Sequence, residues 1–280
     1  MPLKSPKWLA TQNPDEIIIV DCRYNLTQPT QAAQDYAQAH IPGAYFLDLE
    51  SDLCAPKGQH GGRHPLPCAD QFGSVLSHIG WTPDKTLVAY DSDGSGAAHF
   101  WWLARYFGLD KEVIILQGGF QGWLNAGLPV SADIPRPHLS ERPTLTPQSQ
   151  WVVNRDFVLE HLGRYPLIDS RSYERYMGYY EPIDPVAGRI PGAQHFDYKA
   201  VYASPAEYRT LENLQQHFAP VLAINTPPIV YCGSGVSACS NIFALSLLGI
   251  PALLYAGSFS DWITYPDSPI EQGDQPHGTP

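Results

Sequence analysis

The sequence predicts an α/β protein of two tandem domains, each a mostly parallel sheet flanked by helices. Three observations lead there. The chain repeats itself once, in the same segment order. Within each half, short β-branched runs alternate with helical patterns, the arrangement of strand–helix–strand units on a parallel sheet. Of the 280 residues, 44% are hydrophobic and 16% charged, which supports packed cores and argues against disorder.

The first half opens with IIIVDCRYN (17–25), which matches YPLIDSRSY (165–173) in the second. AHIPGAYFLDLE (39–50) matches GRIPGAQHFDYK (188–199). TLVAYDSDGSGAAHFWWLARYFG (86–108) matches PIVYCGSGVSACSNIFALSLLG (228–249), and LQGGFQGW (116–123) matches YAGSFSDW (255–262). The offset narrows from 148 residues at Asp21/Asp169 to 139 at Trp123/Trp262, as differing loop lengths produce. IIIVD, TLVAYD, PIVYC and ALLYA read as buried strands. GAAHFWWLARYFGL and VSACSNIFALSLLG read as helices stopped at glycine. The expected domains are 1–135 and 149–280. Between them, 136–148 sits in a proline-rich stretch without apolar period and reads as a linker. The end of the chain, EQGDQPHGTP, reads as a frayed tail.

The formal net charge of −11 repels nucleic acid and anionic membranes alike, so neither is an expected partner. A small anionic substrate needs only local cations. Five cysteines in no CxxC or zinc-ligand spacing indicate neither a disulfide framework nor a metal site. No secretory signal or membrane span is visible, and a reducing, cytoplasmic setting is expected.

The repeat separates scaffold from chemistry. Asp21/Arg23 and Asp169/Arg171, both IPG turns and both GxFxxW endings recur, and read as ion pairs, turns and core aromatics. Cys232 does not recur: Asp91 stands at its counterpart, and a carboxylate cannot replace a nucleophilic sulfur. GSGVSA after Cys232 formally matches a dinucleotide fingerprint. It lacks the acid expected at the end of the next strand, and too little chain follows it. Neither Ser234 nor Ser95 lies in GxSxG, which argues against a serine hydrolase. Ala238, six residues after Cys232, replaces the arginine a CxxxxxR phosphatase loop needs. What remains is a reactive sulfur. Gly233 and Gly235 permit the dihedrals that aim backbone N–H groups inward, and those donors with the following helix dipole favour an anion at Cys232.

The doubled domain, the DxR and IPG elements, the GGF/GSF-x-x-W endings and the loop CGSGVSA together resemble the tandem rhodanese-type sulfurtransferases, over nearly the whole chain. Thiosulfate-preferring members carry Arg and Lys after the cysteine, whereas mercaptopyruvate-preferring members carry Gly-Ser-Gly. Gly233-Ser234-Gly235 resembles the latter. The resemblance implies that Cys232 takes a sulfane sulfur from 3-mercaptopyruvate, a small anionic donor, as a persulfide. It then passes the sulfur to cyanide or to a thiol such as thioredoxin or glutathione, with no cofactor. Arg175 matches a carboxylate-binding arginine, and Gly233, Gly235, Val236 and Ser237 complete the substrate loop. Ser234 and His64 match a Ser-His-acid group that would handle the proton. Its acid falls at Glu50, with Asp48 and Asp52 close by. Such a group requires a first-half loop to reach the second half's cysteine. Ile183 stands where the family has a second arginine, with Arg189 near enough to substitute. The alternatives are a thiosulfate sulfurtransferase of the same architecture and a non-catalytic rhodanese-fold binding or sulfur-carrier module.

Overall fold

The computed structural model describes residues 2–109 and 113–274. They divide into two compact units. One comprises 2–55, 66–109, 113–148 and 202–208; the other comprises 56–65, 149–201 and 209–274. Each unit therefore takes a short segment from the opposite half of the sequence.

The strands run β1 (Leu3–Lys4), β2 (Ile17–Asp21), β3 (Tyr45–Phe46), β4 (Thr86–Tyr90), β5 (Val113–Leu116), β6 (Val152–Val153), β7 (Leu167–Asp169) and β8 (Gln194–His195). A small hairpin follows, β9 (Tyr202–Ser204) with β10 (Glu207–Tyr208), and then β11 (Ile229–Tyr231) and β12 (Leu253–Tyr255). The first sheet has the order β1-β5-β4-β2-β3 and the second β6-β12-β11-β7-β8, with every pairing parallel. The orders are identical once each sheet is counted from its own first strand. The repeat seen in the sequence is thus a repeat of topology.

Burial explains the composition of the central strands. Parallel strands are covered on both faces and read as continuous apolar runs. Leu87, Val88, Ala89 and Tyr90 in β4, and Ile229, Val230 and Tyr231 in β11, are all buried. The helices that follow them, Ser95–Tyr106 and Ala238–Leu247, are apolar on nearly every side and buried over most of their length. Both end short of their sequence-predicted limits, and Gly108 and Gly249 then turn the chain with φ of +81° and +75°.

The duplicated polar pairs are scaffold. Arg23 donates through Nε and Nη2 to Asp21 and through Nη2 to the Ala39 carbonyl at 2.9 Å. Arg171 repeats this on Asp169 and on the Gly188 carbonyl at 2.6 Å. Each guanidinium also lies over an aromatic ring, Phe120 at 4.4 Å and Phe259 at 4.1 Å. Trp123 and Trp262 donate their indole N–H to Pro129 and Pro269 carbonyls.

The C-terminal stretch is partly tied down, contrary to the expected fraying. Glu271 exchanges backbone hydrogen bonds with Arg189, and the Gly273 N–H donates to Met177. Residues 275–280 lie outside the described residues.

Candidate active site

In open parallel sheets, ligands collect beyond the carboxyl ends of the strands. β11 is the central strand of its sheet, and Cys232 is the residue directly after it. The loop Cys232–Ser237 then enters the helix Ala238–Leu247. Its shape is fixed from below. The Cys232 N–H donates to Ser258 Oγ at 3.1 Å, Phe259 N–H to the Cys232 carbonyl at 3.0 Å, and Ser260 N–H to the Gly233 carbonyl at 2.9 Å. Gly235 has φ +88°, and a Cβ there would lie 2.4 Å from the Ala256 carbonyl oxygen, so no other residue fits. That conformation aims the Gly235 N–H at the Cys232 sulfur, 3.2 Å away. Val236 is buried and Ser237 occupies the position before the helix. Cys232 is 2% exposed.

The first unit shows what this loop geometry does. Asp91, directly after β4, receives the N–H groups of Gly94, Gly96 and Ala97 at 2.8, 2.6 and 3.1 Å. Three amides converge on one side chain at the place where the second unit carries its sulfur. Burial, with Asp93 beside it, pushes the Asp91 carboxyl up against the pull of those donors.

His64 belongs to the second unit, on the strap 56–65. Its Nδ1 lies 2.7 Å from Ser234 Oγ, and both residues are buried. Burial, reinforced by the Arg63 and Lys57 charges, pushes the imidazole down to about 4, so it is neutral at physiological pH. The strap is latched to its unit. Gly61 N–H donates to Asp261 Oδ1 at 2.7 Å and Arg63 N–H to Ser260 Oγ at 3.0 Å, while His60 stacks on Tyr265 at 4.2 Å. Gly62 (φ +82°) passes so close to the Gly257 carbonyl that a Cβ would lie 2.4 Å from it.

The acids expected behind His64 lie in the first unit. Glu50 is exposed there. Asp48 Oδ1 accepts the Glu50 and Ser51 N–H groups, and Asp52 Oδ2 accepts the Asp48 N–H. Asp48 and Asp52 thus cap a turn. Among the described residues of the second unit, no carboxylate is hydrogen-bonded to His64.

Arg175, on the short helix Tyr173–Met177, donates through Nε to both Glu181 oxygens at 3.0 and 2.9 Å and through Nη2 to Asp184 Oδ2 at 2.9 Å. The other Asp184 oxygen pairs with Arg63 Nη1. Burial pushes the Asp184 carboxyl up, opposed by the Arg63 and Arg175 charges. Both guanidiniums close over Gly233: a Cβ there would lie 2.8 Å from Arg63 Nη2 and 3.2 Å from Arg175 Nη2. Arg189 does not substitute for the arginine absent at Ile183. It is buried, lies over Tyr176 and donates to the Gly273 carbonyl at 3.1 Å. Arg63, Glu181 and Asp184 are the site residues that sequence reasoning missed. The only sequence signal for Arg63 was its place beside His64.

Two segments of the chain, 5–126 and 155–265, match the model of the rhodanese-like domain. The chain belongs to the rhodanese-like family. Among curated relatives of this tandem rhodanese-like chain, a probable 3-mercaptopyruvate sulfurtransferase of Pseudomonas aeruginosa is 41% identical over 92% of this chain and 93% of its own length. A putative thiosulfate sulfurtransferase, SseB, of Mycobacterium tuberculosis is 33% identical over 92% of each chain. Among solved structures, the 3-mercaptopyruvate sulfotransferase SseA of Escherichia coli superposes with a TM-score of 0.80 at 29% identity, covering 92% of this chain and 98% of SseA. Among the described residues, no group of three or more His, Cys, Asp or Glu side chains is arranged to hold a metal, and no helix is long and apolar enough to cross a membrane.

Proposed function

We propose that this rhodanese-like chain is a 3-mercaptopyruvate sulfurtransferase that carries the sulfur as a persulfide on Cys232. The observation that carries the reading is the surroundings of that sulfur: a backbone N–H aimed at it from Gly235, and two guanidiniums over the adjacent Gly233. The Cys232 thiolate attacks the sulfur of mercaptopyruvate and the carbon–sulfur bond breaks. Its electron pair forms the pyruvate enolate, and the proton that left the donor thiol ends on C3 of pyruvate. Ser234, hydrogen-bonded to neutral His64, is placed to relay that proton, because a neutral imidazole both accepts and donates. Arg175 holds the donor carboxylate. An acceptor thiolate then attacks the outer persulfide sulfur and regenerates the Cys232 thiolate. Glu50 has no assigned step in this sequence. A reducing, cytoplasmic setting suits a persulfide carrier whose five cysteines are all free, and a thiol such as thioredoxin or glutathione suits it as acceptor.

The charge balance favours mercaptopyruvate over thiosulfate. Arg63 and Arg175 are matched by Glu181 and Asp184, so the site offers directed N–H groups to a carboxylate rather than net charge to a dianion. The two guanidiniums, together with the SseB relative, keep thiosulfate as the second reading. Steady-state rates with both donors test this. A kcat/KM at least tenfold higher for mercaptopyruvate is expected, and a thiosulfate preference rejects the assignment. Mass spectrometry after donor treatment is expected to show one added sulfur, removed by thiol. No gain with either donor leaves a non-catalytic module.

A further inference from the structure

We propose that Ser260 is a positioning residue: it sets the register of the strap 56–65 against the cysteine loop, so that His64 meets Ser234. The inference rests on the sulfurtransferase reading above, in which that pair relays the proton, and names what holds the pair together.

Ser260 lies in the helix Ser258–Trp262 and is 7% exposed. Its backbone and its side chain serve different segments. The N–H donates to the Gly233 carbonyl at 2.9 Å. The hydroxyl oxygen accepts the Arg63 N–H at 3.0 Å, and its own proton goes to the Gly257 carbonyl at 3.3 Å. A hydroxyl accepts and donates at once, which this crossing requires. The next residue along each segment is a member of the relay pair: Ser234 follows Gly233, and His64 follows Arg63. Their Oγ and Nδ1 lie 2.7 Å apart. A shift of either segment on Ser260 is therefore passed on to that distance.

The neighbours of Ser260 each hold one segment. Ser258 Oγ accepts the Cys232 N–H, and the Phe259 N–H donates to the Cys232 carbonyl. Asp261 and Thr264 hold the strap at Gly61 and His60. The seat is close-fitting, since a Cβ on Gly62 would lie 3.0 Å from Ser260 Oγ.

The first unit is the control. Gln121 is the counterpart of Ser260, by the same offset that relates Trp123 to Trp262. The Phe120 N–H donates to the Asp91 carbonyl at 2.9 Å, as that of Phe259 does to Cys232. That bond belongs to the fold. The bridging hydroxyl does not: Gln121 is exposed, and its side chain donates to Asn125 on its own helix at 2.8 Å. The hydroxyl stands only in the copy that carries the cysteine.

The test uses the full chain with mercaptopyruvate and a small dithiol acceptor. Ser260→Ala is expected to lower kcat about three- to tenfold, the loss of one hydrogen bond. KM is expected to stay within about twofold, because Arg175, which holds the donor carboxylate, is fixed by Glu181 and Asp184. Gln121→Ala is expected to leave both unchanged. The decisive readout is coupling. In a Ser234→Ala background, Ser260→Ala is expected to cost less than about twofold in kcat, since the pair it aligns is already broken. The full loss in that background, or an unchanged kcat in the single variant, overturns the proposal. Hydrogen exchange needs no donor: the strap amides of residues 57–64 are expected to exchange about threefold faster or more in Ser260→Ala. An unchanged rate also overturns the proposal. Failure of the underlying reading looks different, since the wild-type chain is then not loaded by mercaptopyruvate, and the exchange measurement still decides whether Ser260 holds the strap.

Discussion

Ser234 Oγ and His64 Nδ1 lie 2.7 Å apart although 170 residues separate them in the chain. The contact joins the cysteine loop to a strap that originates in the first half of the sequence and packs within the second unit. In the proposed reaction it is the route of the proton beside Cys232.

Removing the hydroxyl from that pair should slow chemistry and spare binding. Ser234→Ala is expected to lower kcat with mercaptopyruvate by about 10²- to 10⁴-fold, the range of a lost acid–base group, with KM changed little. The readout is stopped-flow formation of the persulfide. An unaltered single-turnover rate would remove Ser234 from the proton path.

His64 should make stability depend on pH. Its native value is pushed down to about 4 from an ordinary 6.5. Between these values the unfolded chain binds a proton that the native state does not. Stability therefore rises with pH through that window, is fully present above it, and is lost as pH falls toward 4. The contribution is about 3 kcal/mol. His217, also lowered by burial, acts in the same direction. Urea unfolding between pH 4 and 7 is expected to show a shallower slope for His64→Gln than for wild type. Parallel curves would contradict the depressed value.

Gly235 should tolerate nothing larger. Its φ of +88° and the 2.4 Å approach to the Ala256 carbonyl mean that Gly235→Ala must move the loop. A cost of about 1–3 kcal/mol is expected for the left-handed backbone, before the steric conflict is added. Denaturation midpoints measure it. Sulfur loading of Cys232 should fall as well, since the N–H on the sulfur is the one displaced.

Asp261 should hold the strap. It accepts Gly61 N–H at 2.7 Å and Tyr255 hydroxyl at 2.7 Å. Asp261→Ala leaves a buried hydroxyl and a strap amide unpaired, and about 1–3 kcal/mol of stability should be lost for each buried group. Limited proteolysis is expected to cut near residues 57–62 faster than in wild type. Wild-type cleavage rates there would show that the stacking of His60 on Tyr265 suffices.

Much of the architecture was legible because it repeats. Strands such as β4 and β11 are buried on both faces, and that burial writes itself into sequence as an uninterrupted apolar run. Cys232 was legible for a related reason: the copy with Asp91 shows which features the fold demands and which it does not. Arg63 and Asp184 were not legible. They come from segments with no period, and their meeting depends on how the strap lies on the Ser258–Trp262 helix. Arg189 misled for the same reason, since closeness in sequence to Arg175 and Ile183 said nothing about the direction of its side chain.

The sequence alone determined the two-copy α/β architecture, the glycine-bearing loop after the central strand, and which copy has a cysteine at the start of that loop. All of these follow from local patterning, glycine dihedrals and the identity of one residue after a strand. The tertiary structure decided which side chains surround that residue. Hydrogen bonds and close backbone contacts between segments far apart in the chain bring His64 and Arg63 to the Cys232 loop, and nothing in the order of residues specifies those distances.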